Sequence, residues 1–327
     1  LKIIVFTGAG ASKPLGYPTT LEFFPKSGLD SAKQEVFNHL KKHLNTNIVD
    51  IEDALDILEK SDEFLNTSAG DFVARKLTDN WKINIKNFTS YCQERCFHLY
   101  GFIPEEKKVR ELYLPLLTNL DWENNNISLF TTNYDPVTDI IMEIAEEMDT
   151  PAYDGFGMRG DWKPNKYAHN QTGLNIYRIH GSMSWIQQER RIKNTRDYSL
   201  RAVNNHEHLI IYPGFKGNPE DNSHEVFSFP HDQLRKQLKK ADVLITIGFS
   251  FRDIHLNNIF KSSMEENSSL MLIIINPDWP SGLNGIMDSL KVTHKNRITH
   301  LNEKFGGDNT IIKLDNMLGG IRYLLTN

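Results

Sequence analysis

The feature that most constrains this chain is a set of short apolar runs that do not alternate with polar residues. Ile3-Ile4-Val5-Phe6, Val243-Leu244-Ile245-Thr246-Ile247 and the run from Leu270 to Ile275 are almost entirely β-branched or leucine. An alternating strand hides one face, whereas a continuous apolar strand must be covered on both. Further strands are expected at 127–130, 174–179, 209–212 and 298–301, with stretches of helical spacing between them. Strands that alternate with helices imply an α/β fold, a Rossmann-like doubly wound parallel sheet with helices on both faces.

In such a sheet, ligands collect beyond the carboxyl ends of the strands. Small polar clusters stand at those ends in this chain. They are Gly8-Ala9-Gly10-Ala11-Ser12, Thr131-Thr132-Asn133-Tyr134-Asp135, His180-Gly181-Ser182, Gly248-Phe249-Ser250-Phe251-Arg252-Asp253 and Asn276-Pro277-Asp278. A glycine turn directly after a strand lets backbone amides approach phosphate oxygens, so the first cluster reads as a pyrophosphate site. Lys13 stands where the dinucleotide fingerprint has its third glycine. Each cluster also has a plainer reading. Asn133, Asp135 and Ser250 suit helix N-caps, and Asn276-Pro277 suits a turn. Arg252 and Asp253 read as structural rather than catalytic.

Residues 30–122 read as a helical module inserted into the α/β part. Val36, Leu40 and Leu44 recur every fourth residue, and Ile51, Ala54, Leu55 and Leu58 form a second stripe behind a candidate N-cap, Asp50. Phe72 to Leu99 holds one or two helices with Trp81, Phe88, Cys92 and Cys96 inward. Val109, Leu112, Leu116 and Leu120 follow Pro104 in another. The α/β domain then comprises residues 1–29 and 123–327. The arginine-rich stretch 186–206 reads as a solvated loop.

Taken in order, GAGAS, TTNYD, IHGS, GFSF and INPD resemble the Sir2 (sirtuin) superfamily of NAD-consuming enzymes, over residues 1–25 and 125–301. The resemblance implies that Gly8, Ala9, Gly10 and Ser12 cradle the NAD phosphates. Thr132, Asn133 and Asp135 would hold the nicotinamide-ribose end, with Thr132 in place of the family's glutamine. His180 with Gly181 is the implied catalytic element. Gly248 and Ser250 would contact phosphate and ribose, and Asn276 the adenosine ribose. Asn133, Asp135 and His180 are the expected catalytic residues.

Two departures separate this chain from the sirtuin deacylases. No cysteine follows Cys96, so their four-cysteine zinc module is missing, and Lys13-Pro14-Leu15-Gly16-Tyr17-Pro18 replaces their Ile-Pro-Asp-Phe-Arg element. The pattern is similar to Sir2-like domains of bacterial antiphage systems. The resemblance therefore implies an NAD glycohydrolase that releases nicotinamide and ADP-ribose. A zinc-free deacylase or a non-catalytic NAD or ADP-ribose-binding module is the alternative. A homo-oligomer, or a partner such as a HerA-like ATPase, is also implied.

Bulk properties bound the rest. A net charge of −5 gives no reason to expect direct nucleic-acid binding. No apolar stretch reaches the ~20 residues of a membrane span, and the opening run is too short for a signal peptide. Two cysteines, Cys92 and Cys96, cannot build a disulfide framework, so the cytoplasm is the expected compartment. Even with His98 they fall short of four zinc ligands, and no metal is expected. The chain opens on Leu1 rather than Met, so preceding residues are expected.

Overall fold

The structure, a computed structural model, describes residues 1–70, 80–157, 160–167, 172–188, 191–195, 208–210, 225–277, 282–291, 295–307 and 309–326. They divide into two compact units. One is formed by the described residues of Leu1–Tyr17, Ile103–Ile210 and Asn218–Asn327, and the other by those of Pro18–Phe102.

The first unit is built on a seven-stranded sheet in which every pairing is parallel. Its strands are β1 (Ile3–Thr7), β2 (Asn126–Thr131), β3 (Ala152–Tyr153), β4 (Gly173–Arg178), β8 (Val243–Ile247), β9 (Met271–Ile275) and β10 (Ile298–Leu301). Their order across the sheet is β10-β9-β8-β1-β2-β4-β3. β1 lies centrally, with Val5 beside Leu129 on one side and Ile245 on the other. All residues of β1 and β8 are buried. Covering on both faces is what their largely apolar, non-alternating sequence requires. The helices of this unit are α1 (Ala9–Ser12), α5 (Glu106–Asn119), α6 (Val137–Glu147), α7 (Glu225–Leu238), α8 (Ile254–Glu266), α9 (Gly282–Leu290) and α10 (Thr310–Thr326). Residues 103–122, which the sequence reading assigns to the helical module, group with the sheet: α5 packs on α6 and α10.

The second unit holds α2 (Ser31–Leu44), α3 (Ile51–Leu65) and α4 (Asn80–Tyr100), with α4 packed on both others. Asp30 caps α2 through the Lys33 amide, and Asp50 caps α3 through the Glu52 amide. Thr19 opens a short 3₁₀ turn, its amide donating to Glu22 at 3.0 Å. Phe88, Cys92 and Cys96 face the interior, while Trp81 is half-buried. Both cysteines are free thiols, and burial together with Cys96 pushes the Cys92 thiol up, away from reactivity.

One expectation needs correction. The stretch 186–206 is not simply a solvated loop. β5 (Gly181–Gln188) pairs antiparallel with β6 (Arg191–Asn194), and with β7 (His208–Ile210) on its other side. Met183 and Trp185 are buried, which fixes β5, and β6 follows by pairing with it, whatever its own polarity. Arg196 and Arg201 lie outside the described residues.

A buried ion cluster closes the end of β4. Arg178 donates to Asp139 at 2.6 Å, to Asp154 at 3.4 Å and to Thr138 at 2.9 Å, and all three charged side chains are at most 2% exposed. Removing the cation would strand two carboxylates away from water. Arg178→Met is therefore expected to cost about 3–5 kcal/mol of stability. Urea unfolding would check this, and a loss below about 1 kcal/mol would mean that the carboxylates escape burial.

Candidate active site

Because the strands run parallel, their carboxyl ends share one edge of the sheet. The order reverses between β1 and β8: the chain proceeds to β2 and β4 on one side, and to β9 and β10 on the other. The loops after β1 and β8 are thus neighbours across the switch point where α/β sheets bind ligands.

The glycines explain how closely these loops meet. The Gly8 amide donates to Ile247 O and the Gly10 amide to Gly248 O, both at 2.9 Å. A Cβ on Gly248 would lie 2.2 Å from the Ala11 nitrogen, and one on Gly10 would lie 2.8 Å from the Gly248 Cα. Gly248 also has φ +61°, in the left-handed region. The amide of Ala11 turns back to Gly8 O. Three amides of the turn are therefore committed within the protein, and the glycines lock one loop onto the other.

Asn133 joins the β2 loop to this crossing. Its Nδ2 donates to Gly8 O and to Ser12 Oγ, each at 3.0 Å. A backbone carbonyl only accepts, so the orientation of the amide is set. Both Nδ2 protons are used, which leaves the Asn133 Oδ1 as the group available to a ligand. Ser12 is 1% exposed, and its hydroxyl also hydrogen-bonds to Asp135. The serine read as part of a phosphate cradle is thus the link between two other site residues.

Asp135 is buried and accepts from the Val137 amide at 3.1 Å, a local turn bond just before α6, whose N-cap is Pro136. Burial pushes its carboxyl up to about 6, against the lowering effect of Ser12, the Val137 amide and Arg178. Thr132 is half-buried, and its amide donates to Thr7 O at 3.1 Å.

His180 stands on the turn between β4 and β5, followed by Gly181 at φ +85°. The Ile179 amide donates to Thr131 O at 2.8 Å and the Met183 amide to Tyr134 O at 2.9 Å, so this turn is bonded to the β2 loop. Its imidazole Nε2 lies 3.5 Å from Asp253 Oδ2 in the β8 loop. Asn276 Nδ2 donates to Phe249 O at 3.3 Å, and its own carbonyl meets His300 Nε2 at 2.7 Å. Ser250 is half-buried, and Arg252 Nε reaches its hydroxyl at 3.4 Å.

These contacts form a closed circuit. The β1 loop bonds the β8 loop, which holds His180 through Asp253; the His180 turn bonds the β2 loop, and Asn133 returns to Gly8 and Ser12. Asp253 is the member that sequence reasoning set aside. An aspartate directly before a helix is already explained as a cap, and nothing local shows that its second oxygen meets a histidine from β4.

Residues 127–281 match the SIR2-like domain family. This SIR2-like segment holds Asn133, Asp135, His180, Gly248, Asp253 and Asn276; the glycine turn at 8–12 precedes it. No curated protein matches the sequence. A Sir2 in complex with an inhibitor, 2′-O-acetyl-ADP-ribose and a deacetylated p53 peptide is similar over 98% of this chain and 94% of its own, at 12% identity and a TM-score of 0.45. A Sir2 with a p53 peptide and NAD+ covers the same shares at 14% identity and a TM-score of 0.40. Among the described residues no three His, Cys, Asp or Glu side chains group to hold a metal, and no helix is long and apolar enough to cross a membrane.

The raised Asp135 carboxyl has a signed consequence. Below about pH 4 the group is neutral in both folded and unfolded chains. As pH rises from there towards 6, the folded chain keeps a proton that the unfolded chain releases, so stability falls through that window and stays lower above it. Asp135→Asn is expected to stabilise the protein at pH 7.5 by on the order of 1–3 kcal/mol and to give no gain near pH 3.5. Urea titrations at the two pH values compare them. A gain of equal size at both would show that no desolvated charge is involved.

Proposed function

We propose that this site binds NAD and hydrolyses the bond between nicotinamide and ribose, releasing nicotinamide and ADP-ribose. The observation that carries the reading is the circuit itself, which brings an acceptor oxygen (Asn133) and a carboxylate-paired imidazole (His180) to the glycine crossing at the switch point. The SIR2-like match across residues 127–281 supports NAD as the substrate class. The lack of any cysteine after Cys96 favours hydrolysis over a zinc-bearing deacylase.

Cleavage of this bond expels neutral nicotinamide and leaves cationic character at the ribose C1′. Water then adds its oxygen to C1′ and loses a proton. The Asn133 Oδ1 accepts a hydrogen bond from that water or from a ribose hydroxyl and so orients it. His180 takes the proton and passes it to solvent. Asp135, ionised above pH 6, places negative charge behind Ser12, where it favours the cation. The glycine crossing fixes the two loops against each other, and Ser250 and Asn276 beside it are the groups we assign to phosphate and ribose hydroxyls.

The finer biological reading, NAD depletion in antiphage defence by a homo-oligomer or with a HerA-like ATPase, rests on the sequence resemblance. Light scattering at micromolar concentration tests the homo-oligomer, and a monodisperse monomer would overturn it.

Chromatography of NAD incubated with the protein tests the activity. Nicotinamide and ADP-ribose are expected without any acylated peptide. His180→Ala and Asn133→Ala are each expected to lower the rate about 10²–10⁴-fold while NAD still binds. Tight binding with no turnover would make the protein a binding module, and release that requires an acetyl-lysine peptide would make it a deacylase.

A further inference from the structure

We infer that Asp253 fixes the tautomer of His180, so that Nδ1 is the atom that takes the proton in the proposed reaction. The inference deepens the reading above and rests on it for the reaction, but not for the tautomer. Asp253 acts through His180 and is a positioning residue.

The argument begins with the two oxygens of one carboxylate. Asp253 Oδ1 accepts from the Leu256 amide at 3.0 Å and caps α8. Oδ2 is left to face His180 Nε2 at 3.5 Å. An ionised carboxylate can only accept, so the imidazole must present N–H on Nε2. A neutral imidazole carries a single N–H proton, so Nδ1 keeps its lone pair. Among the described residues Nδ1 has no hydrogen-bond partner, and the side chain is 21% exposed, so the ring is reachable.

Asp253 is itself held in place. The loop before it is tied at Gly248, whose amide donates to Ile275 O at 2.9 Å. Phe249 and Phe251 are both buried, edge to face with Phe260 and with each other. Phe251 has φ +53°, a conformation that a bulky side chain adopts only when its surroundings impose it. Asn257 Nδ2 grips the Phe251 carbonyl at 2.6 Å. The strain is thus maintained by aromatic burial on one side and a hydrogen bond from α8 on the other, and the result is a carboxylate aimed at β4.

The ionisation that this requires is favoured. Burial alone would raise the Asp253 carboxyl, but the His180 and Leu256 hydrogen bonds, with the charge the nearby imidazoles carry when protonated, outweigh it and hold the group below the ordinary carboxylate range.

Two substitutions separate tautomer control from simple support. Asp253→Asn keeps an oxygen for the cap but turns an amide donor toward Nε2, which moves the imidazole proton to Nδ1 and removes the base. Asp253→Ser keeps the cap and leaves the imidazole free to take either tautomer. The asparagine variant is expected to lose about 10²–10⁴ in kcat and the serine variant about tenfold, with KM and melting temperature nearly unchanged in both. Equal losses, or a serine variant worse than the asparagine one, would overturn the inference. Nitrogen NMR of histidine-labelled protein, with His180→Ala for assignment, reads the tautomer directly. A proton on Nε2 is expected in the wild type, and a proton on Nδ1 there would overturn it. Should the wild type fail to cleave NAD, the activity reading falls while the NMR result still decides the tautomer.

Discussion

The arrangement at this edge of the sheet depends on the contact between two loops at the point where strand order reverses. Gly8, Gly10 and Gly248 meet backbone to backbone, at separations no Cβ could tolerate. That contact sets where the β8 loop goes, and the β8 loop carries Asp253. The Gly8 carbonyl, which already accepts from the Ala11 amide, receives Asn133 as well. A methyl group at Gly248 would therefore do more than strain one residue. It would push apart the loops that hold the imidazole and the amide, and the two sides of the site would lose their common reference.

Charge burial around the site follows a consistent division. Arg178, Asp139 and Asp154 are fully enclosed, and their mutual hydrogen bonds offset most of the cost of leaving water. Asp135 is buried near the same cluster with no cation in direct contact among the described residues, and burial raises its carboxyl. Asp253, near the surface and beside His180, goes the other way. Two carboxylates on either side of one site thus have opposite tendencies: one costs stability when ionised, and the other ionises readily. Asparagine would fill the space and make the Val137 bond, so the contact that asks for a carboxylate is the Ser12 hydroxyl, which receives Asn133 and hydrogen-bonds to Asp135.

What could be read in the sequence follows from the range of the interactions. The parallel sheet was legible because a strand buried on both faces must be almost wholly apolar, and β1, β8 and β9 are, with Thr7 and Thr246 the exceptions among them. The strand-end clusters were legible as a set because parallel strands bring all such loops to one edge. The caps at Asp30 and Asp50 depend on neighbours two or three residues away, and the Asp50 cap was read directly. The β5–β6 hairpin was hidden because Arg191-Ile192-Lys193-Asn194 carries little strand signal and takes its structure from the strand beside it. The commitments of Ser12, Asn133 and Asp253 were hidden for the same reason. Each has a sufficient local explanation, and its actual partner lies more than seventy residues away along the chain.

That pattern bears on how a site like this tolerates change. Side chains with two partners, one local and one distant, respond differently to substitutions that spare one of them. Asp253→Ser preserves the local cap and loses the distant histidine; Asp135→Asn preserves the local Val137 bond and alters the link to Ser12. Neither change should unfold the sheet, whose stability comes from the apolar strands and the Arg178 cluster. The site is therefore separable from the fold in energetic terms. The strands and buried ion cluster fix the frame, the glycine crossing sets the loops, and a few doubly used polar groups determine which atoms face the ligand.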